Sequence, residues 1–70
     1  MYPAVITVDP EVLGGTPVFR GTRVPVKSLF DFLEKGDSIE EFLENFPTVQ
    51  REQIIALLET ARKSVVASLE

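Results

Sequence analysis

The sequence predicts a mainly α domain, a short N-terminal β-ribbon followed by a three-helix bundle. Three observations predict it. β-prone residues occur ahead of Val26 as short runs punctuated by glycine and proline. From Val26 onward, apolar residues recur at helical spacing in three successive segments. Start and stop signals stand between those segments, in the form of Pro25, Gly36, Ser38 and Pro47. Seventy residues without an internal repeat or linker make one domain, with residues 1–25 as ribbon and turns and 26–70 as the three-helix part.

The ribbon comes first. Val5 to Val8 is a β-prone run closed by Asp9-Pro10, where the residue before proline is pushed away from α. Leu13-Gly14-Gly15-Thr16 is a turn, Pro17-Val18-Phe19 a second strand, and Arg20-Gly21-Thr22-Arg23 a second turn leading to Val24 and Pro25. Gly14, Gly15, Pro17, Gly21, Thr22 and Pro25 are therefore the residues expected to shape this segment: glycine admits positive φ, proline fixes φ, and threonine bonds the local backbone. Prolines at its edges blunt unwanted strand pairing.

The helices follow. Val26, Leu29, Phe30 and Leu33 form one apolar stripe, started by Pro25 and capped by Gly36. Ser38-Ile39-Glu40-Glu41 matches a capping box, and Ile39, Phe42, Leu43 and Phe46 form the second stripe, ended by Pro47. Thr48 or Gln50 begins a third helix that can run to the C-terminus, with Ile54, Leu57, Leu58, Ala61 and Val65 as its core stripe. The last two helices, joined by Asn45-Phe46-Pro47-Thr48-Val49, have helix-turn-helix spacing.

Composition narrows the function. There is no cysteine and no histidine, which removes disulfides, thiol and imidazole chemistry, and Cys/His zinc sites. Glu40, Glu41 and Glu44 project away from their own helix's apolar stripe, so they form a solvated face and not a converging acid–base pair. The glycine-rich turn lacks the Gly-Lys-Ser/Thr ending of a phosphate loop. No enzyme, metal or cofactor is expected. A domain this small buries only about 60% of its unfolded surface, so reinforcement by a homo-oligomer or a stable hetero-partner is expected. No apolar run reaches membrane-spanning length and no signal-peptide pattern opens the chain, so a cytoplasmic location without membrane association is the expectation. Eleven acidic against seven basic residues, net −4, oppose free-standing nucleic-acid binding.

Three constellations stand out. Arg20 and Arg23, with Lys27 just beyond, are either solvated or acid-paired turn residues, or an anion-seeking edge held on a stiff turn. Gln50, Arg51 and Gln53 open the third helix, where a helix-turn-helix reads base edges; Glu52 among them and the glutamates on the preceding helix oppose that use. Ile55 and Val66, with Arg62 beside them by angle, lie off the core stripe of the third helix. They are either part of a wide core face closed by the ribbon or an exposed strip that binds another chain.

The segment Gly14 to Val26, with Ile6-Thr7-Val8-Asp9-Pro10 upstream and Ser38-Ile39-Glu40-Glu41-Phe42-Leu43 downstream, resembles the bacterial and archaeal family known as domain of unknown function 433, from Ile6 to about Ala61. The resemblance implies a homeodomain-like fold for the helical part. It also implies a type II antitoxin that binds a small PIN-like ribonuclease, shields its acidic metal site and helps repress the shared operon, with DNA contact mainly in the complex. Arg20 and Arg23 are best placed to meet those carboxylates, with Lys27 beside them and Ile55, Arg62 and Val66 as a second contact. Gln50 departs from the pattern, which has Ser, Thr or Asp capping the last helix. The alternatives are a stand-alone helix-turn-helix DNA regulator and a structural dimeric scaffold subunit.

Overall fold

The structure, a computed structural model, describes residues 4–69. In chain order its elements are β1 (Ile6–Thr7), a 3-10 turn (Leu13–Gly15), β2 (Val18–Phe19), α1 (Val26–Glu34), α2 (Ile39–Asn45) and α3 (Arg51–Leu69). A mainly α chain with an N-terminal antiparallel ribbon is what the punctuation predicts. The third helix reaches Leu69, and residue 70 lies outside the described residues.

Each strand is only two residues long. Ile6 stands opposite Phe19 and Thr7 opposite Val18, and the Arg20 N–H extends the pairing to the Val5 carbonyl at 2.8 Å. On its other side β2 is bonded again: Phe19 N–H donates to Val24 O and Val26 N–H to Pro17 O, both at 3.0 Å, around a Val18–Pro25 bridge. β2 is thus the middle of three extended segments, and its side chains are buried on both faces, with Val18 and Phe19 at 1% and 0% exposure.

Local signals set the helix ends. Pro25 is extended and α1 begins at Val26. Past Glu34, Gly36 turns left-handed at φ 93°, Asp37 N–H reaches Phe32 O and Gly36 N–H reaches Leu33 O, each at 3.0 Å. That is a Schellman stop, which needs a residue without Cβ strain. α2 carries the predicted capping box: Glu41 N–H to Ser38 Oγ at 3.1 Å and Ser38 N–H to Glu41 Oε1 at 3.0 Å.

The core sits where ribbon and helices meet, with Phe19, Leu29, Phe42 and Ile54 fully buried and Val24, Val49 and Leu57 around them. Phe42 is its hub. Its ring lies 6.1 Å from Phe19, 5.3 Å from Phe32 and 4.8 Å from Phe46, spacings at which aromatic pairs attract beyond simple burial.

Two expectations need correction. Phe32 lies off the predicted α1 stripe but packs edge-on against Phe42 and Phe46, because α2 crosses that flank of α1. Val65 belongs by angle to the α3 core stripe yet is 58% exposed. The opposing layer ends near Ala61, and every residue from Arg62 to Leu69 is exposed.

Candidate functional site

The Arg20–Arg23 turn is built by its backbone. Thr22 N–H donates to Phe19 O at 3.0 Å, closing a four-residue turn with Gly21 in third place at φ 78°. A type II turn demands positive φ there, so glycine is required by conformation. No atom lies within 4 Å of where a Gly21 Cβ would stand, so crowding is not the reason. Thr22 Oγ1 donates to Phe19 O at 2.8 Å and accepts from Val24 N–H at 3.0 Å, stapling both sides of the turn.

A third tie comes from α3. Gln53 Nε2 donates to the Arg20 carbonyl at 3.1 Å, while its Oε1 accepts from Gln50 N–H at 2.9 Å. The same side chain caps its own helix and holds the turn. It also explains how α3 begins on a residue whose side chain is a poor cap: Gln53 supplies the returning half of a capping box, and the Gln50 carbonyl accepts the first helical N–H groups.

On this braced turn the two guanidinium groups are exposed, and among the described residues neither has an ion-pair partner. Acid pairing within the chain, one of the expectations for these arginines, is thus not found among the described residues. Lys27 differs, since it is bonded to Asp31 at 3.0 Å one turn along α1. Beside the turn opens a mostly apolar groove, lined by Val12, Arg23, Val24, Pro25, Phe46 and Thr48. Val12 and Phe46 meet there only through the tertiary fold, so no local signal marks them as neighbours. Gly14 and Gly15 shape the far loop at φ 65° and 92°, after Leu13, which itself takes φ 51°, uncommon for a branched side chain. Pro17 lends the carbonyl that receives the first N–H of α1.

The trio at the start of α3 is largely engaged within the chain. Arg51 pairs with Glu40 across to α2 at 3.1 Å, and Gln53 is committed as described. A bond from its own backbone N–H, then the Arg51 guanidinium, hold the Glu40 carboxyl below its ordinary value. Gln50 remains exposed. Farther along, Ile55 and Val66 are 53% and 43% exposed, so they are not covered by the ribbon. Arg62 between them grips Glu59 with Nε and Nη2. Among the described residues no group of three or more Asp, Glu, His or Cys side chains is placed to hold a metal ion, and no helix is long and apolar enough to cross a membrane.

A family model described as "Protein of unknown function (DUF433)" matches residues 6–60. The "Uncharacterized protein y4eO" of Sinorhizobium fredii (strain NBRC 101917 / NGR234) is 46% identical over 50 residues, covering 71% of this chain. The chain spans only 23% of the length of that curated relative. No solved structure matches this chain.

Proposed function

The chain belongs to the DUF433 family of proteins of unknown function, and we propose that it acts as a binding module of the type II antitoxin kind, docking a small PIN-like ribonuclease through the Arg20–Arg23 turn. One observation carries this reading: two exposed arginines, without acidic partners among the described residues, stand on a turn whose backbone is tied at Phe19, Val24 and Gln53. A PIN-like nuclease gathers carboxylates around Mg²⁺, and a guanidinium fork matches a carboxylate in shape and charge. A turn already held in place loses little entropy on docking, so more of the contact energy appears as affinity. The adjoining groove offers an apolar recess for a neighbouring side chain of the partner. The role needs no catalytic group on this chain, and operon control would be exerted by the complex.

Direct base reading by the isolated chain is less supported. Arg51 and Gln53 are engaged with Glu40 and with the Arg20 carbonyl, and Glu40, Glu41, Glu44 and Glu52 are all exposed near that helix-turn-helix. The test is growth on co-expression with a PIN-like nuclease encoded in the neighbouring frame. Wild type should restore growth, and the variant combining Arg20→Ala and Arg23→Ala should not, while keeping the wild-type circular dichroism spectrum. Equal rescue by the double variant would contradict the assignment. Tight sequence-specific DNA binding by the isolated chain, lost in Arg51→Ala, would favour the regulator reading instead.

A further inference from the structure

We propose that α3 pairs antiparallel with the α3 of a second copy, about a two-fold axis passing beside the midpoint between Thr60 and Ala61. This surface is separate from the arginine turn, and the inference does not rest on the nuclease reading.

The argument begins with the helical wheel. Ile55, Glu59, Arg62, Val66 and Leu69 are all exposed and fall within about 80° of one another at 100° per residue. Their spacing of four, three, four and three residues is that of a coiled-coil seam. From Ile55 to Val66 the seam runs about 16 Å at 1.5 Å per residue, with Leu69 one turn beyond it. Nothing in the described chain covers it.

What identifies the occupant is the order of residues along the seam. A two-fold interface requires that when residue i of one copy meets residue j of the other, j also meets i. Ile55 and Val66 are equidistant from the Thr60–Ala61 midpoint, and so are Glu59 and Arg62. Antiparallel pairing about that point sets each isoleucine against the valine of the other copy, twice. It also sets each carboxylate against the guanidinium of the other copy, twice. The Glu59–Arg62 pair within each helix would become a four-charge network of alternating sign at the centre, flanked by apolar contacts. Parallel pairing in register would instead set Glu59 against Glu59 and Arg62 against Arg62. Gln53 lies about 160° from Ile55 on the wheel, so the Arg20 turn it holds is on the far side of α3 and stays open to another partner.

The seam is short, so association is expected on the order of micromolar, in the range of weak interfaces. Sedimentation of the wild-type chain should show its mass rising from 7.8 kDa toward twice that value with concentration. Glu59→Arg and Arg62→Glu should each sediment as monomers alone, since each sets like charges face to face. Mixed in equal amounts they should recover the dimer, because both cross-pairs are then of opposite sign; this recovery also shows that each variant folds. The absence of cysteine makes orientation testable by disulfide trapping. An oxidised mixture of Ile55→Cys and Val66→Cys should give the mixed dimer, whereas Ile55→Cys alone should not, its two sulfurs being about 16 Å apart along the axis. A wild-type chain that stays at 7.8 kDa to millimolar concentration would overturn the proposal. So would charge variants that dimerise like wild type, or ready trapping of Ile55→Cys with itself. A strip that stays monomeric while Val66→Glu abolishes nuclease capture would belong to the nuclease.

Discussion

Gln53 reaches 33 positions back along the chain to donate to the Arg20 carbonyl at 3.1 Å, and with the other end of its amide accepts the Gln50 N–H at 2.9 Å. The amide can satisfy both only in one orientation, since one target is a donor and the other an acceptor. The ribbon turn and the start of α3 are therefore fixed against each other by a single side chain.

Replacing that side chain separates its two roles. Gln53→Ala should lose about 0.5–1.5 kcal/mol for each bond removed, or several degrees in the melting temperature of a domain this size. Gln53→Glu can still accept from Gln50 N–H but cannot donate to Arg20 O. It should keep the start of α3 while releasing the turn, read as faster amide exchange at Thr22 and Val24 with protection of the α3 interior unchanged.

At Gly21 the cost should follow backbone conformation alone, because the space an added Cβ would take is open and φ is 78°. Gly21→Asn should be mild and Gly21→Val should cost more, about 1–3 kcal/mol, since a β-branched residue resists positive φ. Thermal denaturation ranks the three proteins. Equal melting temperatures for Asn and Val would contradict this turn assignment.

Phe42 is fully buried and packs against three other phenylalanines in tilted and edge-on arrangements. Phe42→Ala should cost about 3–5 kcal/mol, comparable with the whole stability expected of so small a domain. Loss of the cooperative thermal transition in circular dichroism is the expected result. Phe42→Leu keeps much of the volume and should remain folded with a lower midpoint.

Much of this architecture was legible because its signals are local. Ser38 and Glu41 lie within one turn of each other and Gly36 follows directly on α1, so the residue types alone predict a capping box and a glycine stop. The exposure of Val65 was not legible, since periodicity gives the face of a helix but not the extent of the layer opposite. Nor was the Gln53–Arg20 bond, which depends on how the ribbon folds back onto α3. At the candidate site the sequence marks the arginines and the glycine that shapes their turn. The apolar groove between Val12 and Phe46 appears only on folding.

Acid should weaken one tie between α2 and α3. Glu40 sits below its ordinary value of 4.5 in the folded chain, through its own backbone N–H first and Arg51 second. A carboxyl that binds its proton more weakly when folded stabilises fully above the unfolded value and loses that contribution as pH falls through the folded one. The melting-temperature difference between wild type and Arg51→Ala should therefore be small near neutrality, as for exposed pairs generally, and vanish on acidification. A difference that grows as pH falls below 4.5 would contradict the pairing.

The most direct measurement is calorimetric titration of the purified chain into a PIN-like nuclease, the proposed partner, comparing wild type with the variant carrying Arg20→Ala and Arg23→Ala. Removing two charge-assisted contacts at about 1.5–3 kcal/mol each should weaken binding by roughly a hundredfold or more, with the melting temperature of the free chain within a few degrees of wild type. Added Mg²⁺ should compete with wild type, because both seek the same carboxylates. Unchanged affinity in the double variant, with no effect of Mg²⁺ on the wild-type titration, would contradict docking through the arginine turn.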